Sequence, residues 1–264
     1  MNTGRKGDGR TALVTGASAG IGAEFARVLA HNGFNLVLTA RRGGRLAALA
    51  SELERQYSIR TRISAADLSV AETSAQLVSE LENDGITIDF LVNNAGHGMH
   101  GPYRNTQWKS QRDFLQVMVL APCELIHRVL PSMTRRRYGR IVNVASVAGM
   151  IPGTRGNTLY GAAKALLISF SQALHSEQKG TGVHVTALCP GFTVTEFHDV
   201  TGSRAAMNRL PKILWLEADR VANAGYRAVM RNQAICVPGL QYKTIISLLR
   251  MLPIGIAHRI AATR

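Results

Sequence analysis

The sequence predicts an α/β fold, a single domain built on a doubly wound parallel sheet with helices on both faces. Short apolar runs alternate with longer segments of helical period along the chain. Each run is rich in Val, Ile and Leu without polar alternation, which is typical of parallel strands buried on both faces. The runs continue at similar spacing past residue 190, and no linker rich in Pro, Ser or Gly divides the 264 residues, so we expect one domain.

The predicted strands and helices follow one another in order. The strand segments are TALVTG, FNLVLTA, DFLVNNA, GRIVNVAS and VHVTALCPG, and the predicted helices span residues 21–31, 45–57, 108–133 and 160–179. This alternation predicts a Rossmann-type sheet. We assign residues 1–9 to a flexible N-terminus, 10–240 to the folded domain and 241–264 to a basic amphipathic C-terminal extension.

Composition excludes several classes of protein. With 46% apolar and 18% charged residues, the chain is neither disordered nor fibrous. Its net charge of +14 would suit nucleic acid, an acidic membrane surface or an anionic ligand. No helix-turn-helix, zinc finger or interleaved aromatic and basic motif is visible, and we expect the arginines at 135–137 to be a solvated run before a strand. The sequence therefore predicts no nucleic-acid partner.

Cysteine usage and the chain ends bear on the compartment. Cys123, Cys189 and Cys236 are widely separated, so we expect neither a disulfide framework nor a metal site. The first ten residues lack the apolar core of a signal peptide, which favours a cytoplasmic location. From 221 to 264 there are six basic residues and no acidic one. The extension at 241–264 could rest on the anionic inner face of a membrane, or its apolar face could pack on the domain or a neighbouring subunit.

A glycine turn follows the first strand. Gly16, Gly20 and Gly22 permit a tight turn at which backbone N–H groups and a helix N-terminus can approach an anionic pyrophosphate. The spacing is G-x-x-x-G-x-G, and a glycine cluster alone is often only a turn. The strand before it and the helix after it favour a phosphate cradle.

The second predicted strand ends in Arg41 and Arg42, and no acidic residue follows before Asp67. In a dinucleotide site, an acid at this position holds the ribose 2′-hydroxyl, whereas arginine accommodates a 2′-phosphate. The pair therefore favours NADP over NAD. The alternative is a pair of solvated arginines at the start of a helix.

Ser146, Tyr160 and Lys164 are the candidate catalytic residues. Ser146 ends a predicted strand, and Tyr160 and Lys164 stand at i and i+4 on one helix face. We expect the ammonium to lower the phenol pKa from about 10, so that the tyrosine acts as general acid near neutral pH. A Y-x-x-x-K pair by itself is common and usually structural.

Together these residues resemble the short-chain dehydrogenase/reductase family, classical type, over about residues 10–240. The resemblance extends to NADP-preferring, 3-oxoacyl reductase-like members. The matching pieces are TGASAGIG at 15–22, Asp67-Leu68, NNAG at 93–96, Ser146, YGAAK at 160–164, and Cys189-Pro190-Gly191 leading to Thr193 and Thr195.

The resemblance implies a role for each position. The pyrophosphate would bind at Gly16, Ser18, Ala19, Gly20, Ile21 and Gly22, and the adenine would meet Asp67 and Leu68. The NNAG stretch, with Asn94, Ala95 and Gly96, would support the central sheet beside the cofactor. The segment with Pro190, Gly191, Thr193 and Thr195 would lie against the nicotinamide. Tyr160 would protonate the substrate carbonyl oxygen, Ser146 would hydrogen-bond it, and Lys164 would bind the nicotinamide ribose. The family's long helices also imply a homodimer or homotetramer.

One position departs from the family pattern. Met118 stands where the family usually has an asparagine that orders a proton-relay water, and methionine cannot make those hydrogen bonds. Either another group orders that water, or the supply of protons to the lysine is slower. Met118 is also the only support for an alternative function, a catalytically weak dinucleotide-sensing regulator on the same fold.

The segments implied to line the substrate pocket are 97–108, 147–159 and 196–216. They carry Tyr103, Phe197, Leu214 and Trp215, although such residues are more often ordinary packing. His97 and His100 could bind a polar substrate group or be solvated. We expect an NADPH-dependent reductase of a ketone or aldehyde on a hydrophobic body, with a 3-oxoacyl chain favoured.

Overall fold

A seven-stranded parallel sheet forms the centre of the computed structural model, which describes residues 7–99, 101–156, 158–196 and 211–252. The strands are β1 (Thr11–Thr15), β2 (Asn35–Ala40), β3 (Thr61–Ala65), β4 (Ile88–Asn93), β5 (Gly139–Val144), β6 (Val183–Leu188), β7 (Thr193–Val194), β8 (Leu216–Glu217) and β9 (Ile235–Cys236). The sheet order is β3-β2-β1-β4-β5-β6-β9, and β7 pairs with β8 separately. The predicted doubly wound fold is confirmed.

Helices cover both faces of this sheet. They are α1 (Gly20–His31), α2 (Gly43–Tyr57), α3 (Thr73–Asn83), α4 (Trp108–Leu115), α5 (Ala121–Arg135), α6 (Thr158–Glu177), α7 (Ala218–Met230) and α8 (Leu240–Met251). Val14 of β1 packs in one core with residues of α1, α2 and α7, and its neighbour Leu13 packs in another with residues of α3, α5 and α6. Both residues are fully buried because successive strand side chains point to opposite faces.

The helix predicted for 108–133 is interrupted. A π-helical segment, Gln116–Leu120, joins α4 to α5, and Met118 lies in it. The whole stretch Trp108–Arg135 is long and apolar enough to cross a membrane, but half of its most apolar window is buried inside the protein. It serves as a core helix against the sheet.

The arginine run at 135–137 is not simply solvated, contrary to the expectation from the sequence. Arg135 is the last residue of α5. Arg136 Nη2 donates to the Ile88 carbonyl and to Asp89 Oδ1, both at 3.0 Å. Arg136 therefore ties the end of α5 to the start of β4.

The described part of the C-terminal segment forms α8. Tyr242 and Ile246 are buried, whereas Leu240, Leu248 and Met251 are exposed. The Tyr242 hydroxyl accepts from the Phe192 N–H at 2.9 Å and donates to the Leu214 carbonyl at 2.5 Å. One side of α8 thus packs on the domain and the other faces outward.

Candidate active site

The glycine turn lies at the point where the sheet order reverses between β2 and β4. Gly16 and Gly20 have φ of 65° and 55°, a region that L side chains rarely adopt. A Cβ on Gly22 would lie 2.3 Å from the Gly16 carbonyl oxygen. Ala19 is the N-cap of α1 and makes no side-chain cap hydrogen bond. The turn therefore leaves the first N–H groups of α1 without a side-chain cap, which fits an anionic pyrophosphate.

Thr15 and Asn94 join the glycine turn to the end of β4. Thr15 Oγ1 accepts from the N–H groups of Asn94 and Ala95 at 2.9 and 3.0 Å. Asn94 Nδ2 donates to the carbonyls of Thr15 and Gly16 at 3.0 and 3.2 Å. A Cβ on Gly16 would approach Ala95 Cα to 2.8 Å. The structure thus brings the glycine turn and the NNAG segment together.

Asp67 and Leu68 follow β3 at the same edge of the sheet. Asp67 Oδ1 accepts from the Ser69 N–H at 2.9 Å, which fixes the turn after the strand. Leu68 is buried with Val117 and packs beside Ala95. Both residues therefore lie at the carboxyl edge of the sheet, beside the segment that follows β4.

Ser18, Arg42, Arg45 and Glu196 form one end of the cleft, which we name the adenosine end because the resemblance implies that the adenosine binds there. Arg42 Nε and Nη2 donate to Ser18 Oγ at 3.1 and 3.0 Å. Arg42 Nη1 lies 2.8 Å from Glu196, and Arg45 Nη1 lies 2.6 Å from the same carboxylate. Arg41 is exposed. Sequence reasoning missed Arg45 and Glu196, because Glu196 is 154 residues from Arg42 and no local motif connects them.

The catalytic end consists of Ser146, Tyr160 and Lys164. Ser146 follows β5 and its Oγ accepts from the Ala148 N–H at 3.1 Å. Tyr160 is half-buried near the start of α6, and its hydroxyl hydrogen-bonds to Ser146. Lys164, one turn later, donates from Nζ to the Val144 carbonyl at 2.7 Å and lies 5.9 Å from the Tyr160 ring centroid. The three predicted residues come together at the carboxyl end of β5.

The expected pKa of the tyrosine needs correction. Burial raises the pKa of Tyr160, and the hydrogen bond with Ser146 opposes that rise only in part. Burial also lowers the pKa of Lys164 from 10.5 to about 8. The i, i+4 spacing alone did not show how strongly burial disfavours the phenolate. Tyr160 is therefore neutral at physiological pH, which is the form that can donate a proton.

A small cavity of about 10 Å³ lies behind the catalytic end. Lys164, Met118 and Asn93 are among its lining residues. Asn93 Nδ2 donates to Asn143 Oδ1 at 2.9 Å, but Asn93 Oδ1 is buried without a hydrogen-bond partner among the described residues. A volume of this size holds about one water molecule, given polar neighbours. The buried acceptor and the lysine supply such neighbours where Met118 cannot.

Pro190 and Gly191 extend from β6 toward the catalytic end. The Val147 N–H donates to the Pro190 carbonyl at 3.0 Å. A Cβ on Gly191 would lie 1.9 Å from the Tyr242 ring, so glycine is required while that ring stays in place. Tyr242 is a further residue that sequence reasoning missed.

Thr193 and Thr195 continue this segment over the glycine turn. Thr193 Oγ1 donates to the Gly191 carbonyl at 3.0 Å. A Cβ on Gly20 would lie 2.9 Å from the Thr195 side chain. The segment therefore covers the cleft from the catalytic end to the adenosine end.

The expected substrate segments are described only in part. His97 stacks edge-on against Phe114 with ring centroids 5.5 Å apart, and Trp215 contacts Phe192 with centroids 5.9 Å apart. Phe197 and His100 lie outside the described residues. The ring contacts of His97 and Trp215 are packing contacts beside the cleft.

A parallel sheet with a glycine turn at its switch point, an uncapped helix above it and a tyrosine beside a buried lysine define a dinucleotide-dependent oxidoreductase. Within that class, the chain belongs to the short-chain dehydrogenase family, whose model matches residues 10–206. It is therefore an NAD(P)-dependent oxidoreductase.

Individual relatives include two proteins named as 3-oxoacyl-CoA or ketoacyl reductases. The chain is 35% identical over 206 residues to the very-long-chain 3-oxoacyl-CoA reductase of Laccaria bicolor, covering 77% of this chain and 60% of that protein. It is 34% identical over 222 residues to the ketoacyl reductase HetN of Nostoc sp., covering 84% and 75% respectively. The chain thus spans less than two thirds of the length of the fungal relative.

Among solved structures, a short-chain dehydrogenase from Sphingobium yanoikuyae in complex with NADPH has a TM-score of 0.81 and 30% identity to this chain. The superposition covers 92% of this chain and 96% of that one. The fold therefore matches that of an NADPH-binding relative over nearly its whole length.

Proposed function

We propose that this protein is an NADPH-dependent reductase that converts a ketone or aldehyde on a hydrophobic body, with 3-oxoacyl thioesters favoured, to the corresponding alcohol. One observation carries the proposal: Ser146, Tyr160 and buried Lys164 meet at the end of β5, at the opposite end of the cleft from the phosphate cradle. The 3-oxoacyl substrate class is supported by the names of the Laccaria and Nostoc relatives.

The nicotinamide, when bound, supplies the hydride that reduces the carbonyl carbon. Ser146 donates a hydrogen bond to the carbonyl oxygen and so positions it. Tyr160, neutral because burial raises its pKa, donates its proton to the same oxygen as negative charge develops there. Lys164 holds positive charge behind the tyrosine and stabilises the phenolate that proton transfer leaves.

The preference for NADPH rests on Arg42 and its contact with Ser18. The guanidinium group extends from the end of β2 to the glycine turn, and a 2′-phosphate there accepts charge-assisted hydrogen bonds. Arg41, adjacent and exposed, adds positive charge at the same end.

The decisive experiment follows NADPH oxidation against 3-oxoacyl thioesters, steroids, aldehydes and small diketones, with NADH in parallel. We expect turnover with 3-oxoacyl thioesters and a lower KM for NADPH than for NADH. Equal or better use of NADH would overturn the coenzyme assignment. Coenzyme binding without turnover on any carbonyl would favour the alternative, a dinucleotide-sensing regulator.

We further propose a homodimer or homotetramer in the cytoplasm. Leu120, the last residue of the π-helical segment, and Leu166, on α6, are 55% and 45% exposed. Contact between such faces of two copies would remove them from water. Light scattering of the wild type and of Leu166→Glu tests this, and a monomeric wild type contradicts it.

The outer face of α8 is proposed to contact an anionic lipid surface. Leu240, Leu248 and Met251 are 77%, 59% and 81% exposed, and Lys243 is exposed beside them. Apolar side chains with flanking basic residues are the composition of an interfacial helix. In flotation with phosphatidylglycerol vesicles, we expect the wild type to bind and Leu248→Glu with Met251→Glu not to bind. Equal flotation of both would contradict the contact.

A further inference from the structure

We infer that Glu196 competes with the 2′-phosphate of the coenzyme for Arg42 and Arg45, and so sets how strongly this chain prefers NADPH to NADH. The inference rests on the proposed function and concerns the same cleft. Its basis is an anion already seated at the adenosine end, the carboxylate of the chain's own Glu196.

The contacts of Glu196 engage the donors that a phosphate would need. Its Oε2 accepts from Arg42 Nη1 at 2.8 Å and from Arg45 Nη1 at 2.7 Å, and its Oε1 accepts from Arg45 Nη1 at 2.6 Å. The Arg42 and Arg45 guanidinium groups hold the pKa of Glu196 below its usual range. The carboxylate is therefore charged and fully engaged at neutral pH.

The cluster is open to a ligand from solution. The side chains of Arg42, Arg45 and Glu196 are 43%, 51% and 44% exposed. Arg42 also reaches Ser18 in the glycine turn, so one guanidinium group links the phosphate cradle to Glu196. A ribose phosphate can therefore reach these guanidinium groups without any rearrangement of the sheet.

The charges of the 2′-phosphate and of the Glu196 carboxylate determine which of the two binds the arginines. A phosphate monoester carries close to two negative charges and three acceptor oxygens, more than a carboxylate offers. The N-terminus of α2, which begins at Gly43 and has no acidic residue in its first turn, adds favourable partial charge. The 2′-phosphate therefore displaces Glu196, and breaking its ion pairs subtracts from the binding free energy of NADPH. The neutral 2′-hydroxyl of NADH does not displace it.

The test is equilibrium binding to the full chain without coenzyme, by calorimetry. The probes are adenosine 2′,5′-bisphosphate, which carries the 2′-phosphate, and 5′-AMP, which does not. Glu196→Gln should bind the bisphosphate about three- to tenfold more tightly than the wild type, since two exposed ion pairs are removed. Its affinity for 5′-AMP should not change. Glu82→Gln, at an exposed carboxylate in the last turn of α3, is the matched control and should bind both probes with the affinity of the wild type.

Unchanged or weaker binding of the bisphosphate by Glu196→Gln would overturn the inference. Weaker binding of 5′-AMP would also overturn it, because the carboxylate would then be holding the ribose hydroxyl. Arg42→Gln tests the coenzyme assignment separately. If that variant binds the bisphosphate as well as the wild type does, the proposed NADPH preference fails, whatever Glu196→Gln shows.

Discussion

At the catalytic end of the cleft the positive charge is buried, whereas at the adenosine end it is exposed and paired. Lys164 is only 6% exposed and donates to a neutral backbone carbonyl, that of Val144. Arg42 is 43% exposed and meets the carboxylate of Glu196. In the proposed function both ends bind one extended ligand, but they hold cations by opposite means.

The difference lies in which force dominates at each end. Desolvation controls the catalytic end, where it lowers the pKa of Lys164 to about 8 and raises that of Tyr160. Ion pairing controls the adenosine end, where solvent screens every contact. We therefore expect the catalytic end to respond to pH and to single-atom changes, and the adenosine end to respond to salt.

Removing the Tyr160 hydroxyl should have the largest effect. Tyr160→Phe keeps the ring but loses the proton donor, so kcat should fall by about 10²- to 10⁴-fold, while NADPH binding is retained. Steady-state kinetics and a coenzyme titration measure the two. Tyr57→Phe, at the last residue of α2, is the control and should keep full turnover. Undiminished turnover in Tyr160→Phe would contradict the assignment of Tyr160 as the proton donor.

The second prediction concerns the pH dependence of stability. Because the pKa of Lys164 falls from 10.5 to about 8 in the folded protein, the unfolded chain binds more protons between these values. The free energy of unfolding contributed by this group therefore rises with pH across that window, by about 3 kcal/mol at most. Lys164→Met lacks this gain.

Urea unfolding of both proteins from pH 7 to pH 10 checks the lysine prediction. The stability of Lys164→Met relative to the wild type should decline steadily above pH 8. Lys179→Met, at an exposed lysine on the surface, should show no such decline. A constant difference across the window would mean that desolvation does not govern the catalytic end.

A higher salt concentration should weaken coenzyme binding at the adenosine end and leave turnover at the catalytic end almost unchanged. Raising the ionic strength from about 0.1 to about 1 M shortens the Debye length from about 10 to about 3 Å. The KM for NADPH should rise by about three- to tenfold because the 2′-phosphate contacts are screened, while kcat stays within twofold, an effect under about 0.5 kcal/mol. A change in kcat as large as that in KM would contradict the conclusion that ion pairing governs only the adenosine end.

The smallest effect is expected at Met118. Met118→Asn restores an amide beside the small cavity without touching the three catalytic side chains, so kcat should change by less than about threefold. Solvent isotope effects on kcat in the two proteins measure the proton supply. A tenfold gain in the variant would show that proton supply limits the wild type.

Features with a local signal could be predicted from the sequence. The buried strands, the glycine turn and the Tyr160–Lys164 pair each lie within a few residues, where periodicity and spacing are visible. The edge strand β3, with sequence TRISA, escaped notice because it is only partly buried and polar residues interrupt it. The π-helical segment could not be predicted either, because a pattern of apolar residues at helical spacing does not distinguish it from an α-helix.

Features made by distant contacts could not be predicted. Glu196 reaches Arg42 across 154 residues, and Tyr242 reaches Phe192 across 50. The pKa of Tyr160 depended on burial, which residue spacing does not show. The departures from expectation therefore come from packing between segments rather than from misread motifs.

The ring of Tyr242 over Gly191 has a consequence for protein engineering. Positions 191 and 242 share one volume, so a side chain at 191 can be accommodated only if 242 becomes small. The Tyr242 hydroxyl also ties Phe192 to Leu214, on either side of a stretch that holds most of the segment 196–216 expected to line the substrate pocket. A chimera that imports this stretch from a relative must therefore import the matching position on α8 as well.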